Sequence, residues 1–358
     1  MAQNLLKQTY PWIKTPLIIG APMRLISLAP LAIEVSRAGG IGFIGSGTDT
    51  STLEHILLHA QSLLLSHPIP HSPPTTLPLG IGFINWGASL PLALPLIARF
   101  HPAAVWFFAP ASLASLASWT AATRAASPAT KIWIQIGSVA AALAVTRACA
   151  PDVLVVQGTD AGGHGLVRGA GVVSLVPEVA DALSALAAEE EGGKAPMLVA
   201  AGGIAEARGA AAALALGAGG VVLGTRLLAS PEANIADGYR KEVLRARDGG
   251  QSTVRTKVYD ALRGTTGWGE EYNGRAVVNR SFVDAGEGMG EEENKRLYEA
   301  EMEKGDAGWG VEGRMTTYAG AAVGLVKEVK GAADIVEEVR EGAVRVLEGL
   351  MGEARTKL

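Results

Sequence analysis

Residues 197–225 read MLVAAGGIAEARGAAAALALGAGGVVLGT, and this stretch contains the pattern that decides the fold. Two short apolar runs, Met197–Gly202 and Gly219–Thr225, each end in glycine or a polar residue. An Ala-rich stretch of helical character separates them. A strand, a crossover helix and a second strand in this order predict a βα repeat of a parallel sheet.

Six further apolar runs precede this pair along the chain. They are Leu17–Ala21, Ile41–Gly45, Leu79–Asn85, Ala103–Ala109, Lys131–Gly137 and Val153–Gly158. Eight βα units without a reversal of the pattern favour α/β architecture with a closed (β/α)8 TIM barrel over an open doubly wound sheet. Two of the intervals between runs are long and indicate insertions, one of which is the proline-rich segment 66–78.

The pattern changes after Arg226. Residues 230–315 are rich in glycine and charge and show no strand periodicity, so we predict a second, smaller α-rich domain that contributes the substrate site or a lid. From Ala319 to Leu350, apolar residues recur every three or four positions, which predicts an amphipathic helix able to serve as the barrel's eighth. The predicted division is a barrel of residues 1–229 plus 316–358, with residues 230–315 inserted.

The composition excludes several classes of protein. The 358 residues are 48% hydrophobic and 18% charged, which excludes a disordered chain. Basic and acidic residues number 31 and 35, so there is no excess positive charge for nucleic acid, and we expect no such partner. Because Cys149 is the single cysteine, neither an internal disulfide nor a cysteine-based zinc site is expected, and a reducing compartment is favoured.

The sequence also predicts where the protein resides. No charged residue lies between His55 and Ala98, but prolines interrupt this run, so we expect a soluble protein without a membrane partner. No signal peptide is evident, and the cytoplasm is the expected compartment. The last three residues, 356–358, resemble the peroxisomal Ser-Lys-Leu signal, although a chance match is favoured. Monomer and homodimer both stay open.

Two further patterns are interpreted as structural. Residues 40–45 match the dinucleotide-binding pattern G-x-G-x-x-G, but these glycines lie within an apolar strand and no acidic residue follows at the required distance. We interpret them as positions where a ligand approaches the strand end. His55 and His59 are four residues apart on a predicted helix, but no third ligand is evident, so no metal site is predicted.

The ends of the seventh and eighth runs predict a phosphate site. Gly202 and Gly203 follow the seventh run, while Gly224 and Thr225 end the eighth. In a barrel these two loops are neighbours, and their backbone N–H groups can surround a phosphate together with a helix N-terminus. Tight turns alone would also explain the glycines, but their occurrence at two adjacent strand ends favours phosphate.

One histidine follows the sixth run. His164 stands in the stretch Gln157–Gly165, where glycines surround it. We expect an open imidazole on the catalytic face of the barrel, able to act as a general base, because the glycines offer the ring little to pack against. Asp160 is the nearest acid in the sequence and could instead cap a turn.

These motifs resemble the nitronate monooxygenase family, formerly called 2-nitropropane dioxygenases. The segments that carry the resemblance are residues 21–23, 157–165, 200–204, 223–226, 274–279 and 324–326. The resemblance implies a TIM barrel with a small second domain, non-covalent FMN, and oxidation of nitronates or nitroalkanes by O2. By motif position it implies flavin contacts from Met23, Asn85, Gln157, Gly162, Gly203, Gly224 and Thr225, with His164 as catalytic base.

The chain departs from the family pattern in two places. Many relatives carry a basic residue on the fifth strand, where this chain has Gln135, which we also place at the cofactor together with Gly202. Bacterial relatives often have a Trp-Ala-Gly-Gln run near the C-terminus, where this chain has residues 317–321 as TYAGA. Two alternatives to nitronate oxidation stay open: an FMN-dependent enoyl-thioester reductase that uses NAD(P)H, and a non-catalytic flavin-binding module.

Overall fold

The computed structural model describes residues 7–189 and 193–357, and its centre is a closed parallel barrel. The barrel strands are β1 (Leu17–Gly20), β2 (Ile41–Gly47), β3 (Leu77–Ile84), β4 (Pro102–Phe108), β5 (Lys131–Ile136), β6 (Val153–Gln157), β8 (Met197–Ala201) and β9 (Gly220–Leu223). A further strand, β7 (Gly163–Leu166), lies outside the barrel. β9 pairs with β1 from Leu17 opposite Gly220 to Gly20 opposite Leu223, which closes the circle. The predicted (β/α)8 barrel is confirmed.

Helices follow the barrel strands and cover their outer face. They are α1 (Ala29–Arg37), α2 (Leu53–Ser66), α3 (Leu90–Phe100), α4 (Leu113–Ala126), α5 (Val139–Cys149), α6 (Val172–Glu189), α7 (Ala207–Ala215) and the single turn α8 (Thr225–Leu228). Ser112 and Ser138 begin α4 and α5 by accepting a hydrogen bond from the backbone three residues later, which satisfies an otherwise unpaired N–H group. Ala-rich sequence supplies the helical propensity between these caps.

Aromatic side chains fill the interior of the barrel. Phe43 lies against Trp106 and Trp133 with ring centroids 5.1 Å away in both cases. Trp133 donates a hydrogen bond to the hydroxyl of Tyr10, which packs with Trp12 in the same interior cluster. This filling leaves no room for a ligand among the strands, so an open site must lie beyond their carboxyl ends, where barrel enzymes have it.

Residues 230–331, here called the cap region, contain helices, turns and two strands. The elements are α9 (Asp237–Arg245), α10 (Gly249–Ser252), β10 (Thr253–Thr256), α11 (Val258–Arg263), β11 (Tyr272–Val277), α12 (Arg280–Gly286), α13 (Glu291–Met302) and 3-10 turns at Gly305–Gly308 and Ala321–Leu325. The strands form an antiparallel sheet of order β10-β11-β7. The sequence pattern did not indicate β10 and β11 within this α-rich region. Because β7 belongs to this sheet, the cap region is joined to the barrel by hydrogen bonds.

The remaining helix, α14 (Ala332–Lys357), packs against α1 and α7. Its Arg340 is buried and donates hydrogen bonds to the carbonyls of Pro16 and Ala38, beside the first strand. The helix thus stands where the barrel's eighth helix is predicted. It begins later than expected, since Val326 and Val329 precede it.

Glycines 40–45 have a packing explanation. A Cβ atom on Gly42 would lie 1.9 Å from the carbonyl oxygen of Ala32 in α1, and one on Gly45 would lie 2.3 Å from that of Met23. At these two positions it is therefore the protein's own backbone, rather than a ligand, that approaches the strand. His55 and His59 are both exposed on α2.

The structure bears on two predictions about localisation, the absence of a membrane partner and the resemblance to a peroxisomal signal. Among the described residues, no helix combines the length and the apolar character needed to cross a membrane. Leu358 and the side chains of Thr356 and Lys357, which resemble a peroxisomal signal, lie outside what the structure describes.

Candidate active site

A cavity of about 750 Å³ opens at the carboxyl ends of the barrel strands. Nine of the ten predicted site residues line it, namely Met23, Gln135, Gln157, Gly162, His164, Gly202, Gly203, Gly224 and Thr225. Asn85 does not line it. Its side chain is buried beside the cavity, where Oδ1 accepts the N–H of Phe108 and Nδ2 has no partner among the described residues.

The two glycine loops lie side by side, as predicted. Gly202 and Gly203 have φ angles of +102° and +75°, a region that side chains other than glycine rarely adopt. No described backbone hydrogen bond uses the N–H groups of Gly203 or Gly224 as donors. A Cβ atom on Gly224 would meet only the Cβ of Ala21, at 3.8 Å, so the space beside it is open. An unpaired N–H group with open space beside it, as at Gly224, fits an anion.

One predicted element of the phosphate site is wrong. α7 begins at Ala207 rather than directly after the glycines, and the Glu206 carboxylate accepts the N–H of Gly209 at its N-terminus. This end of α7 is therefore already occupied by a negative charge. The hydroxyl of Thr225 is better placed, since its oxygen accepts the N–H of Gly320 and its own hydrogen is left to donate.

His164 lies on β7 directly opposite Gly274 of β11. Its Nε2 is 2.8 Å from Oδ1 of Asp260, and its ring stacks on Trp268 with centroids 3.7 Å apart and planes 6° from parallel. Only 12% of the side chain is exposed. The expectation of an open imidazole is wrong, because the glycines around His164 leave room for an indole from a distant loop.

Asp260, rather than Asp160, is the acid that faces the histidine. It lies on α11 and is 4% exposed. Its Oδ1 also accepts the hydroxyl of Thr265 at 2.9 Å and makes a long contact of 3.4 Å with the hydroxyl of Tyr318. Burial, with the nearby charge of Asp260, raises the pKa of Tyr318, so this phenol stays protonated and can donate.

Two arginines hold the loop that joins β6 to β7. Arg255 on β10 donates to the carbonyls of Thr159 and Ala161 at 3.1 and 3.0 Å, and Arg275 on β11 donates to Thr159 at 3.3 Å. Burial and the neighbouring Arg275 lower the pKa of Arg255 to about 10, which leaves it charged at neutral pH. The two guanidinium groups thus fix the backbone that leads to His164.

Aromatic side chains and two arginines form the rest of the wall. Trp268 contacts Trp86 and Phe108 with ring centroids 5.7 and 5.8 Å away. The Arg263 guanidinium lies 5.5 Å from the ring centroid of Tyr318 and has no hydrogen bond or ion pair among the described residues. Arg24 also lines the cavity, and its Nε is buried without a described partner. The cavity is therefore largely apolar with Asp160 and two arginines in its wall, and the arginines are suited to a small anion.

Comparison with known proteins identifies the family. A family model described as nitronate monooxygenase matches residues 117–342 of the chain. The chain belongs to the nitronate monooxygenase family. It is 49% identical to nitronate monooxygenase npaC of Metarhizium robertsii over 346 residues, covering 96% of this chain and 95% of that protein. It is 39% identical to a nitronate monooxygenase of Neurospora crassa over 356 residues, covering 94% and 92%.

Solved structures show the same fold. A nitroalkane oxidase from Streptomyces ansochromogenes matches with a TM-score of 0.70 at 22% identity, over 97% of this chain and 99% of that one. FabK from Thermotoga maritima matches with a TM-score of 0.71 at 24% identity, over 98% of both chains. At these identities the likeness concerns the fold alone.

Gln135 lies on β5, at one of the two positions where the sequence predicts a departure from the family pattern. Its Oε1 accepts the indole N–H of Trp106 at 3.0 Å, so the side chain is held in the cavity wall with its amide N–H groups left to donate. Gln157 donates to the backbone carbonyl of His164 at 3.2 Å, which ties the ends of β6 and β7 together.

Most of the residues that sequence reasoning missed come from the cap region. They are Arg255, Asp260, Arg263 and Trp268, while Arg275 and Tyr318 were noted only within longer segments. Arg24 and Trp86, which come from loops of the barrel, were also missed. No glycine pattern or motif surrounds Asp260. Its role depends on the pairing of β7 with β11, which the sequence pattern does not reveal.

Proposed function

We propose that this enzyme oxidises nitronates with FMN as cofactor and O2 as oxidant. One observation carries the proposal. The paired glycine loops line the same cavity as His164, and His164 is paired with Asp260. Membership in the nitronate monooxygenase family, a family of flavin enzymes, supports it.

The residues present fit FMN. The unpaired N–H groups of Gly203 and Gly224 and the hydroxyl of Thr225 would hold the phosphate. Met23, Gln135, Gln157, Gly162 and Gly202 would contact the flavin from the cavity wall, and the unpaired Nδ2 of Asn85 is a further donor beside it. When bound, FMN supplies the redox chemistry, accepting electrons from the substrate and passing them to O2.

His164 would handle the proton. A neutral nitroalkane must lose its α-proton before it is readily oxidised, and an imidazole with one free nitrogen can accept that proton. A nitronate has already lost it and needs only to be held beside the cofactor. The two substrates therefore place different demands on this one side chain.

Purified protein provides the test. We expect it to be yellow and to release FMN rather than FAD on denaturation, because the phosphate loops match a mononucleotide and the glycines of residues 40–45 belong to β2 and the turn before it rather than to a Rossmann turn. We expect O2-dependent oxidation of alkyl nitronates and propionate 3-nitronate without NAD(P)H. A colourless protein that cannot be reconstituted with FMN would refute the flavin assignment, while NAD(P)H consumption with an enoyl thioester would favour the reductase alternative.

We further propose that residues 230–315 form a smaller, inserted domain that contributes the substrate site or a lid, and that the enzyme is cytoplasmic, without nucleic-acid or membrane partners. The near balance of charge supports the last point. Whether one or two copies form the working enzyme is decided by size-exclusion chromatography with light scattering.

A further inference from the structure

We propose that Asp260 is a positioning residue that fixes the tautomer of His164, so that Nδ1 accepts the substrate proton. The inference rests on the proposed function, because it assigns an atom to the proton transfer described there. The charge of Asp260 then stabilises the histidine once the proton has arrived.

The hydrogen bonds around Asp260 support this assignment. An ionised carboxylate only accepts hydrogen bonds, and Oδ1 of Asp260 lies within reach of His164 Nε2, Thr265 Oγ1 and the Tyr318 hydroxyl. Neutral imidazole carries one hydrogen, so a hydrogen on Nε2 leaves the lone pair on Nδ1. No described hydrogen bond involves Nδ1, although His164 lines the cavity.

The proton moves from the α-carbon of the substrate to Nδ1 of His164. The C–H bond at the α-carbon of the nitroalkane breaks, and its electron pair forms the C=N bond of the nitronate while the nitro oxygens take the negative charge. The proton bonds to Nδ1 of His164. The resulting imidazolium keeps its Nε2 hydrogen on Asp260, whose buried charge acts with little screening by water.

The ring has little freedom to present its other nitrogen. Trp268 stacks on one face at 3.7 Å. Gly274 lies across the strand pair, and a Cβ atom there would be 3.6 Å from His164 Nε2 and 2.7 Å from Cε1 of Tyr318. A glycine at this position therefore lets Tyr318 and His164 converge on Asp260.

A purely structural role for Asp260 is the competing interpretation. The carboxylate joins α11 to Thr265, and that contact alone could explain its burial. Such a role predicts that a substitution lowers stability and affects nitronate and nitroalkane oxidation equally. A positioning role predicts that the two substrates diverge.

Three variants separate these interpretations. Asp260→Asn keeps an amide oxygen for all three donors but removes the charge, and Asp260→Ala removes both. Asp284→Asn is the matched control, because Asp284 is equally buried at 4%, lies in the cap region and pairs with Arg280 and Arg314 rather than with a cavity residue. The readouts are 15N NMR of histidine-labelled protein and kcat/KM for a nitroalkane and its nitronate.

We expect neutral His164 to carry its hydrogen on Nε2 in the wild type and in Asp260→Asn, and to lose this preference in Asp260→Ala. We expect Asp260→Asn to lower nitroalkane kcat/KM by about 10²-fold while nitronate kcat/KM stays within about threefold. Asp284→Asn should lower both activities equally or neither.

Two results would overturn the proposal. One is a wild-type spectrum with the hydrogen on Nδ1, which needs no variant and no activity. The other is nitroalkane turnover by Asp260→Asn within about twofold of the wild type. If FMN-loaded wild type oxidises neither substrate, the proposed function fails, yet the spectrum still decides whether Asp260 sets the tautomer.

Discussion

The barrel and the cap region contribute to the site in different ways. The barrel contributes backbone: glycine loops after β8 and β9 with unpaired N–H groups. The cap region contributes side chains: Asp260, Trp268 and Arg263. We therefore propose that cofactor binding depends mainly on the shape of the main chain, and that proton and charge chemistry depends on a region without regular sequence pattern. Each contribution can be removed separately.

The largest effect is expected where the two regions meet. His164→Asn keeps a polar side chain but has no base near neutral pH, so it should lower nitroalkane oxidation by about 10²- to 10⁴-fold and nitronate oxidation much less. Steady-state oxygen consumption with both substrates measures the difference. Equal loss of both activities, with FMN still bound, would mean that His164 binds or orients substrate. If the wild type does not oxidise nitroalkanes, the role of His164 is better explained by attraction of the anionic nitronate to the protonated ring.

The backbone contribution is tested at Gly203. Gly203→Val should lower FMN affinity by more than about 10²-fold, since the variant strains a φ of +75° and would place a side chain 3.1 Å from the Cβ of Asp160. Thr225→Ala should lose one hydrogen bond to a charged group, about 1.5–3 kcal/mol. Fluorescence titration with FMN measures both. Gly217→Val is the control, because Gly217 has a φ of +101° with open space around it and does not line the cavity.

The link between the regions is tested at Arg255. Arg255→Met removes the guanidinium that holds Ala161 and that shares Thr159 with Arg275, so the unpaired carbonyl of Ala161 should cost about 1–3 kcal/mol of stability and weaken FMN binding. Thermal unfolding with and without FMN checks both effects. Arg124→Met is the matched comparison, because Arg124 also donates to two carbonyls, those of Cys149 and Ala150, on the outside of the barrel. An equal loss of FMN affinity in both variants would contradict a role for Arg255 in holding the site.

The smallest effect is expected from removing the positive charge of Arg263. Arg263→Gln should raise KM for an anionic nitronate by about three- to tenfold at low salt and leave the KM of a neutral nitroalkane unchanged, because an exposed charge attracts anions and is screened by salt. Initial rates at two ionic strengths provide the measurement. Arg147→Gln, at an exposed arginine on α5 away from the cavity, should leave both constants unchanged.

The barrel and part of the site could be predicted, for a physical reason. Strands buried on both faces must be apolar, so runs such as Val153–Gly158 stand out, and loops that bind through main-chain N–H groups must be glycine-rich. Asp260 offers no such signal, because its place follows from the antiparallel pairing of β7 and β11. The expectation of an open imidazole at His164 was wrong for the same reason, because the residues that contact the ring are distant from it in sequence.

Helix α14 has a consequence for how the chain acquires its structure during synthesis. The ribosome releases all eight barrel strands and the whole cap region before it releases residues 332–357. Until then α14 does not cover the surface between α1 and α7, and the carbonyls of Pro16 and Ala38 lack the hydrogen bonds that Arg340 donates. A nascent barrel with an apolar seam open to water is a substrate for chaperones and a risk for aggregation. Ribosomes stalled shortly before residue 332 should therefore display a protease-sensitive barrel, and release of one further helix should protect it.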